Sequence, residues 1–544
     1  MKKITKFVQI FIIILIFASC SQKKENQSIS PITFTFYTED FDGTTTFDDR
    51  IAKEITKRTG VYLDITGPKS QTSANVQLMI LNNSFPDLIF AKSENSKLIE
   101  NKALIPLDGF IRKYGDNIVN LYGDKILRLR NSLDDPSIYT VGSYEIKTNV
   151  LETSGNMQIQ NAVLREFGYP RISTLDDVEN LLLSYKEKYP QINGHKTIGL
   201  SLLTDSWYWF LSISNPGNFM IGFPDDGQWI INQKTFEAQY KFLHPEMNVF
   251  YKWLNKLYHE DLLDPESFTQ TEDMWKQKLS SGCVLATTYP LWGLKDIQNN
   301  LVENDLTERT FAYLPITADK KYKDPSLKDY GFSGGWGIGI TIDCKDPVRA
   351  FKFLDFMCSE EAQILTNWGI ENVDYIYNEN NERISINNNA YNEGVGVWLY
   401  PFPQGGSGFI DSTGNSLAKS NKENIINKYN FAEKETLKAY GVEMWCDLFP
   451  SAKELGISKH GQIWQYLLSS QDTEILDAIN EYVKQSIIKM IVEPQEKFDD
   501  SWEKMQSHIK EMGIETVSQN VTTLIKIKMK LWNYSPNTLF RTLS

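Results

Sequence analysis

The chain has 544 residues, 41% hydrophobic and 12% aromatic, with 56 Lys and Arg against 69 Asp and Glu for a formal charge of -13. That length buries full cores and divides into two or more lobes. The acidic balance excludes a protein that grips a phosphate backbone, which needs clustered Lys and Arg, so no nucleic-acid partner is expected.

The first elements are targeting signals. Lys2, Lys3 and Lys6 precede an apolar run from Phe7 to Phe17, then Ala18, Ser19 and Cys20, the layout of an export signal over 1–19. The run is too short for an ordinary membrane span. A cysteine behind small residues at this point is similar to a lipobox, with Phe17 where Leu is usual, so Cys20 is the expected lipidation site and the membrane contact is by lipid alone. A plainly secreted chain is the alternative. Residues 20–31 read as a polar tether.

A strand over 32–37 delivers a loop with Glu39 and Asp40, and a helix over 47–60 carries Ile51 and Ile55 one turn apart before a Gly60 stop. Strands VYLDIT and FPDLIFA flank a further apolar segment, a rhythm that gives a parallel α/β sheet. Ligands bind beyond the carboxyl ends of such strands, so 39–43 and 91–93 are candidate crevice loops, with solvated turns as the alternative. A second unit starts near residue 150. Ser173 and Thr174 cap a helix with Leu175, Val178, Leu181, Leu182 and Tyr185 on its apolar face. Trp207-Tyr208-Trp209 then follow one strand, and Tyr289 and Trp292 follow another.

GFSGGWGIGITID, 331–343, places Trp336, Ile338, Ile340 and Ile342 on one face of a strand and Gly337, Gly339 and Thr341 on the other. Glycine within a strand marks a bend, a close backbone or a ligand, and all three stay open. The glycines precede the turn and no Gly-Lys-Ser/Thr follows, so this is not a phosphate loop. Asp346 and Pro347 then start a helix with Ala350, Phe351, Leu354, Met357 and Cys358 as its stripe. Cys283, Cys344, Cys358 and Cys446 form no Cys-x-x-Cys pair and read as free thiols in preference to disulfides. The five histidines are scattered, and no metal or cofactor motif is present.

GGWGIGITIDCKDPVRAFKFLDFMCSEEAQILTNWGIENVDY resembles a segment of the family 1 extracellular solute-binding proteins, the LipO-like lipoproteins of ABC importers. LIENKALIPLDGFIRKYGDNI, LREFGYPRISTLDDVENLLLSYKEKYP and GCVLATTYPLWGL are similar to further blocks of that family in the same order. The resemblance implies a two-lobed α/β fold of the periplasmic-binding-protein type II kind, each lobe a mixed sheet flanked by helices, with the ligand cleft between lobes. The expected limits are 32–147 with about 308–370 for the first lobe and about 148–307 with 371–516 for the second, followed by a divergent basic tail at 517–544. The glycine-rich stretch would then lie close to a hinge.

The same resemblance implies a monomer that captures a carbohydrate or other polar solute and hands it to an ABC permease, with no cofactor. Sugar rings pack on aromatic faces while carboxylates hold hydroxyls. On this basis Trp207, Tyr208, Trp209 and Trp292 are the expected stacking residues, with Tyr289, Trp336 and Trp398 as further candidates and Glu39 and Asp40 from the crevice loop. Core packing is the alternative for each ring. Residues 189–201 lack the carboxylates of the family's calcium loop, so no calcium is expected there. Two other readings remain: an extracellular glycoside hydrolase, which needs two carboxylates at a set separation, and a receptor lobe for a sensor kinase. No nucleophile elbow occurs, GGSGF at 405–409 being out of frame.

Overall fold

The computed structural model describes residues 30–532 apart from 41–44, 69–73, 144, 148, 154–156, 328–330, 333, 335, 388, 420, 458–459, 462 and 465–467. The expected export signal, Cys20, residues 21–29 of the tether and residues 533–544 of the tail lie outside the described residues. Among those described, no helix is long and apolar enough to cross a membrane.

The two principal sheets are built from β1 (Ile32–Thr38), β2 (Val61–Thr66), β3 (Leu88–Phe90), β4 (Thr140–Gly142), β5 (Met157–Gln160), β6 (Ile198–Leu200), β7 (Val284–Thr287), β8 (Phe311–Leu314) and β9 (Gly337–Ile340). The first sheet has the order β2-β1-β3-β9-β4 and the second β8-β5-β7-β6. In the first, β1 runs parallel to β2 and β3 while β9 is antiparallel to β3 and β4. In the second, β7 is parallel to β6 and antiparallel to β5. Mixed sheets with buried strands need helices on their faces, and the intervening segments supply them.

Local signals start these helices where the sequence places them. Asp49 accepts a hydrogen bond from the Ala52 N–H at 2.8 Å to open Arg50–Thr59, and Gly60 closes it at φ 68°. Ile51 and Ile55 of that helix meet Phe34, Phe36, Ile338, Ile340, Phe351 and Leu354 in the core of the first lobe. In the second, Thr174 and Asp177 form a capping box for Leu175–Lys188, whose Val178 and Leu182 pack with Ile159, Leu200 and Ala286. Cys283, Cys344, Cys358 and Cys446 are free thiols.

Three placements correct the expected division of the chain. Phe311–Leu314, expected in the first lobe, pairs with β5 of the second sheet, because its four buried residues complete that sheet's edge. Residues 390–402, expected in the second lobe, pack on the first: Ala390, Val395, Trp398 and Phe402 belong to its core. The 517–544 segment is not a separate tail over its described length. It belongs to the helix Ile514–Trp532, whose Ile514, Val517, Val521 and Ile525 form a stripe in the second core.

The chain crosses between the sheets after β4, after β8 and again after residue 402. The first and third crossings run side by side, with Ile146 N–H donating to the Gln404 carbonyl and Lys147 N–H to that of Gly405, each at 3.0 Å. The glycine-rich stretch serves this crowding. A Cβ on Gly337 would stand 2.6 Å from the Val141 carbonyl oxygen, and one on Gly334, at φ 94°, would strike the Arg128 carbonyl. Backbone approach explains these two glycines.

Candidate ligand-binding site

Glu39 and Asp40 follow β1 at its carboxyl end, and the Glu39 N–H donates to the Phe90 carbonyl of β3 at 3.2 Å. Lys92 follows β3 in turn and pairs with Asp40. The antiparallel register of β9 on β3, with Gly339 opposite Ile89, carries Trp336 to the same end. There the Lys92 ammonium lies 5.4 Å from the Trp336 ring centroid. Glu94 is buried and paired with Lys97 at 2.9 Å. Burial pushes the Glu39 carboxyl up to about 7, with Lys92 opposing and Glu94 and Asp40 reinforcing the rise. Burial, with Glu39 second, raises the nearby Tyr37 phenol to about 12.

The carboxyl ends of β6 and β7 present rings instead. Trp207 and Trp292 are 42% and 59% exposed. Their rings lie nearly parallel, at 14° with centroids 6.3 Å apart. Tyr208 packs against Trp207 at 4.7 Å, and Tyr289 packs edge-on against Trp292 at 5.7 Å. These rings are held in place from behind. Tyr289 donates its N–H to the Gln158 side chain at 2.8 Å, and its ring fills the space a Cβ on Gly293 would need. The Tyr208 hydroxyl donates to Glu272, and burial followed by that carboxylate drives the phenol far above its ordinary range. Lys484 holds the Ser206 carbonyl at 3.1 Å, fixing the turn before Trp207, and a π-helical turn at Phe210–Ser214 follows.

Trp207, Tyr208, Tyr289 and Trp292 thus come together, as do Glu39, Asp40 and Trp336. Trp209 and Trp398 do not join them. Trp209 is 3% exposed and stacks on Phe242 at 6.1 Å, because the turn that exposes Trp207 directs it into the second core. Trp398 is 1% exposed, with its Nε1–H donating to Asp49 at 2.6 Å and its ring against Phe47. Lys92, Lys97, Glu272 and Tyr391 were not singled out from the sequence. Lys92 falls inside the candidate crevice loop 91–93 and was legible there; Tyr391, 65% exposed in an Asn-rich loop, carries no such signal.

Several contacts join the two halves. Ser470 donates to Glu100 at 3.1 Å, and Lys295 of the helix that starts with Trp292 lies 5.6 Å from the Tyr391 ring centroid. Lys528 donates to the Arg130 carbonyl at 2.7 Å. Residues 191–196, where no calcium is expected, form a hairpin turning at Asn193 and Gly194. Lys196 of that hairpin reaches Asp261 at 2.7 Å.

The same architecture recurs in solved structures. An alginate-binding protein, AlgQ2, solved without calcium ion, superposes with a TM-score of 0.66 at 16% identity, over 91% of this chain and 98% of that one. The substrate-binding protein FusA of a Streptococcus pneumoniae ABC transporter, in complex with kestose, gives 0.65 at 16% identity, over 91% and 99%. These likenesses establish a two-lobed fold with a cleft between mixed α/β lobes. Lipoprotein LipO of Bacillus subtilis (strain 168) is 23% identical over 348 residues, 59% of this chain and 63% of that protein. The family model for bacterial extracellular solute-binding proteins matches residues 50–368, and the chain belongs to that family.

Proposed function

We propose that this protein is a lipid-anchored, extracytoplasmic receptor that captures an oligosaccharide between its lobes and delivers it to an ABC permease, acting as a monomer and without chemistry of its own. The observation that carries the reading is the exposed, nearly parallel pair Trp207 and Trp292. An indole face left in water costs roughly 2 kcal/mol or more in unburied apolar area, and the C–H face of a sugar ring covers it. Tyr208 and Tyr289 extend this platform. Glu39, Asp40, Lys92 and Trp336 form the opposing wall, where carboxylates and the ammonium take the hydroxyls.

The lobes in this reading comprise 32–142 with 337–402, and 157–314 with 431–532; the crossings between them form the hinge. Capture of sugars by proteins of this fold supports the assignment: FusA was solved with kestose and NgtS of Streptococcus pneumoniae with Man5GlcNAc. Cys20 carries the lipid, and residues 21–31 tether the lobes to the membrane.

Titration of intrinsic tryptophan fluorescence with mono- and oligosaccharides tests this, with the sugar recovered and chromatographed. A saturable shift with intact sugar is the expected result. Cleaved sugar would make the protein a hydrolase, and no response to any sugar would remove carbohydrate as its solute.

A further inference from the structure

The helix Ile514–Trp532 belongs to the second core, yet its last turn ends on the first lobe. The Lys528 ammonium donates to the Arg130 carbonyl at 2.7 Å. One turn further on, the Trp532 ring centroid lies 4.6 Å from the Arg128 guanidinium. Ile126, Leu127 and Leu129 place that segment in the first core. It also borders the second crossing, because Arg128 donates to the Phe332 carbonyl and a Cβ on Gly334 would strike the Arg128 carbonyl. The end of the helix therefore bridges the lobes beside the crossings, in the same arrangement in which Ser470 meets Glu100 and Lys295 meets Tyr391.

The bridge holds a charge without a counter-charge. Lys528 is 8% exposed; its one hydrogen bond among the described residues goes to a neutral acceptor, and it makes no ion pair there. Other cations drawn out of water are placed differently. Lys97, Lys278 and Arg383 sit on carboxylates at 2.9, 2.8 and 2.5 Å. Lys241, the other buried lysine among the described residues, has Asp225 opposing the effect of burial, whereas burial alone lowers Lys528 from 10.5 to about 8. An ammonium held out of water on a neutral acceptor keeps a desolvation cost that an opposite charge would offset. Parting of the lobes returns Lys528 to water and removes that cost.

We infer that Lys528 opposes the joined arrangement of the lobes: its unpaired ammonium is desolvated as long as the helix end lies on residues 128–130, so the sugar-free protein favours parted lobes and a captured solute is let go again. The inference rests on the receptor reading above and names what regulates that same site. A receptor that hands its solute on needs a bound arrangement that is not too stable, and a buried charge at the lobe boundary sets that limit without touching the solute.

Neutron scattering of the full chain in contrast-matched detergent, without sugar, tests it on Lys528→Met and Lys528→Gln. Met keeps the volume without the charge, and Gln keeps a donor. The native chain is expected to scatter as a more open particle than this structure. Each variant is expected to shift toward the structure's profile, with an unchanged or higher melting temperature. Isothermal titration with kestose gives the second reading. Kestose binds each variant about tenfold more tightly than the native chain, as when a competent arrangement present about a tenth of the time becomes the main one. A native chain already as compact as the structure overturns the inference, and so do variants that stay as open as the native chain. Earlier melting or weaker kestose binding in both variants overturns it too, because the ammonium would then hold the lobes together. Kestose left unbound by native chain and variants counts against the sugar-binding reading, while the scattering comparison still decides this inference.

Discussion

At the carboxyl ends of the second sheet's strands the fold presents rings: Trp207, Tyr208, Tyr289 and Trp292 lie within 4.7 to 6.4 Å of one another, centroid to centroid along the series. On the first sheet it presents charges: Glu39, Asp40, Lys92, Glu94 and Lys97 around the single indole of Trp336. The ring half is fixed by packing and hydrogen bonds from behind. The charged half is a chain of ion pairs and one carboxyl poised near neutrality. The proposed function therefore assigns stacking to the second lobe and response to conditions to the first.

The comparison can be broken first within the ring half. Trp207 and Trp209 are two residues apart, yet one is 42% and the other 3% exposed. Trp209→Ala removes a ring from the core and is expected to destabilise the fold by about 3–5 kcal/mol. A denaturant melt measures it, and a loss as small as that of a surface substitution would place Trp209 outside the core.

Next in size is the platform itself. Trp292→Ala is expected to weaken sugar binding by about 2 kcal/mol, roughly 30-fold, as for a central aromatic anchor. At 59% exposure the ring contributes little to folding, so the melting temperature stays unchanged. Calorimetry on the variant checks both halves of the statement. Undiminished affinity would move the platform elsewhere.

Much of this was legible in the sequence because local signals and burial agreed. Gly60, Thr174, Asp346 and Pro347 mark helix ends and do so in the fold. Strand ends were read before Trp207, Trp292 and Glu39, and the fold has these residues after β6, β7 and β1. What was not legible depends on long-range packing. Nothing local tells that Trp209 turns inward onto Phe242, or that Trp398 finds Asp49, 349 residues away. The terminal helix was misjudged for another reason. The expected boundary at 517 cut through the stripe Ile514, Val517, Val521 and Ile525 that joins the helix to the second core.

The charged half supplies the smallest and most specific test. Burial raises Glu39 from 4.5 to about 7, so the folded protein holds a proton there that the unfolded chain has released. The folded pKa lies above the unfolded one, so the stability gained from this group is fully present below about 4.5. It is lost progressively as pH rises through about 7. Glu39→Gln keeps the shape and removes the titration. The difference in melting temperature between the native chain and the variant should then move against the native chain between pH 5 and 8, and should be flat above that window. Over the same window a neutral Glu39 gives way to a carboxylate beside Lys92 and Asp40, so hydroxyl recognition on this wall changes while stacking on Trp292 does not. A sugar affinity whose pH dependence survives Glu39→Gln would mean that the wall's response comes from another group, and the contrast between a titrating lobe and a stacking lobe would have to be redrawn.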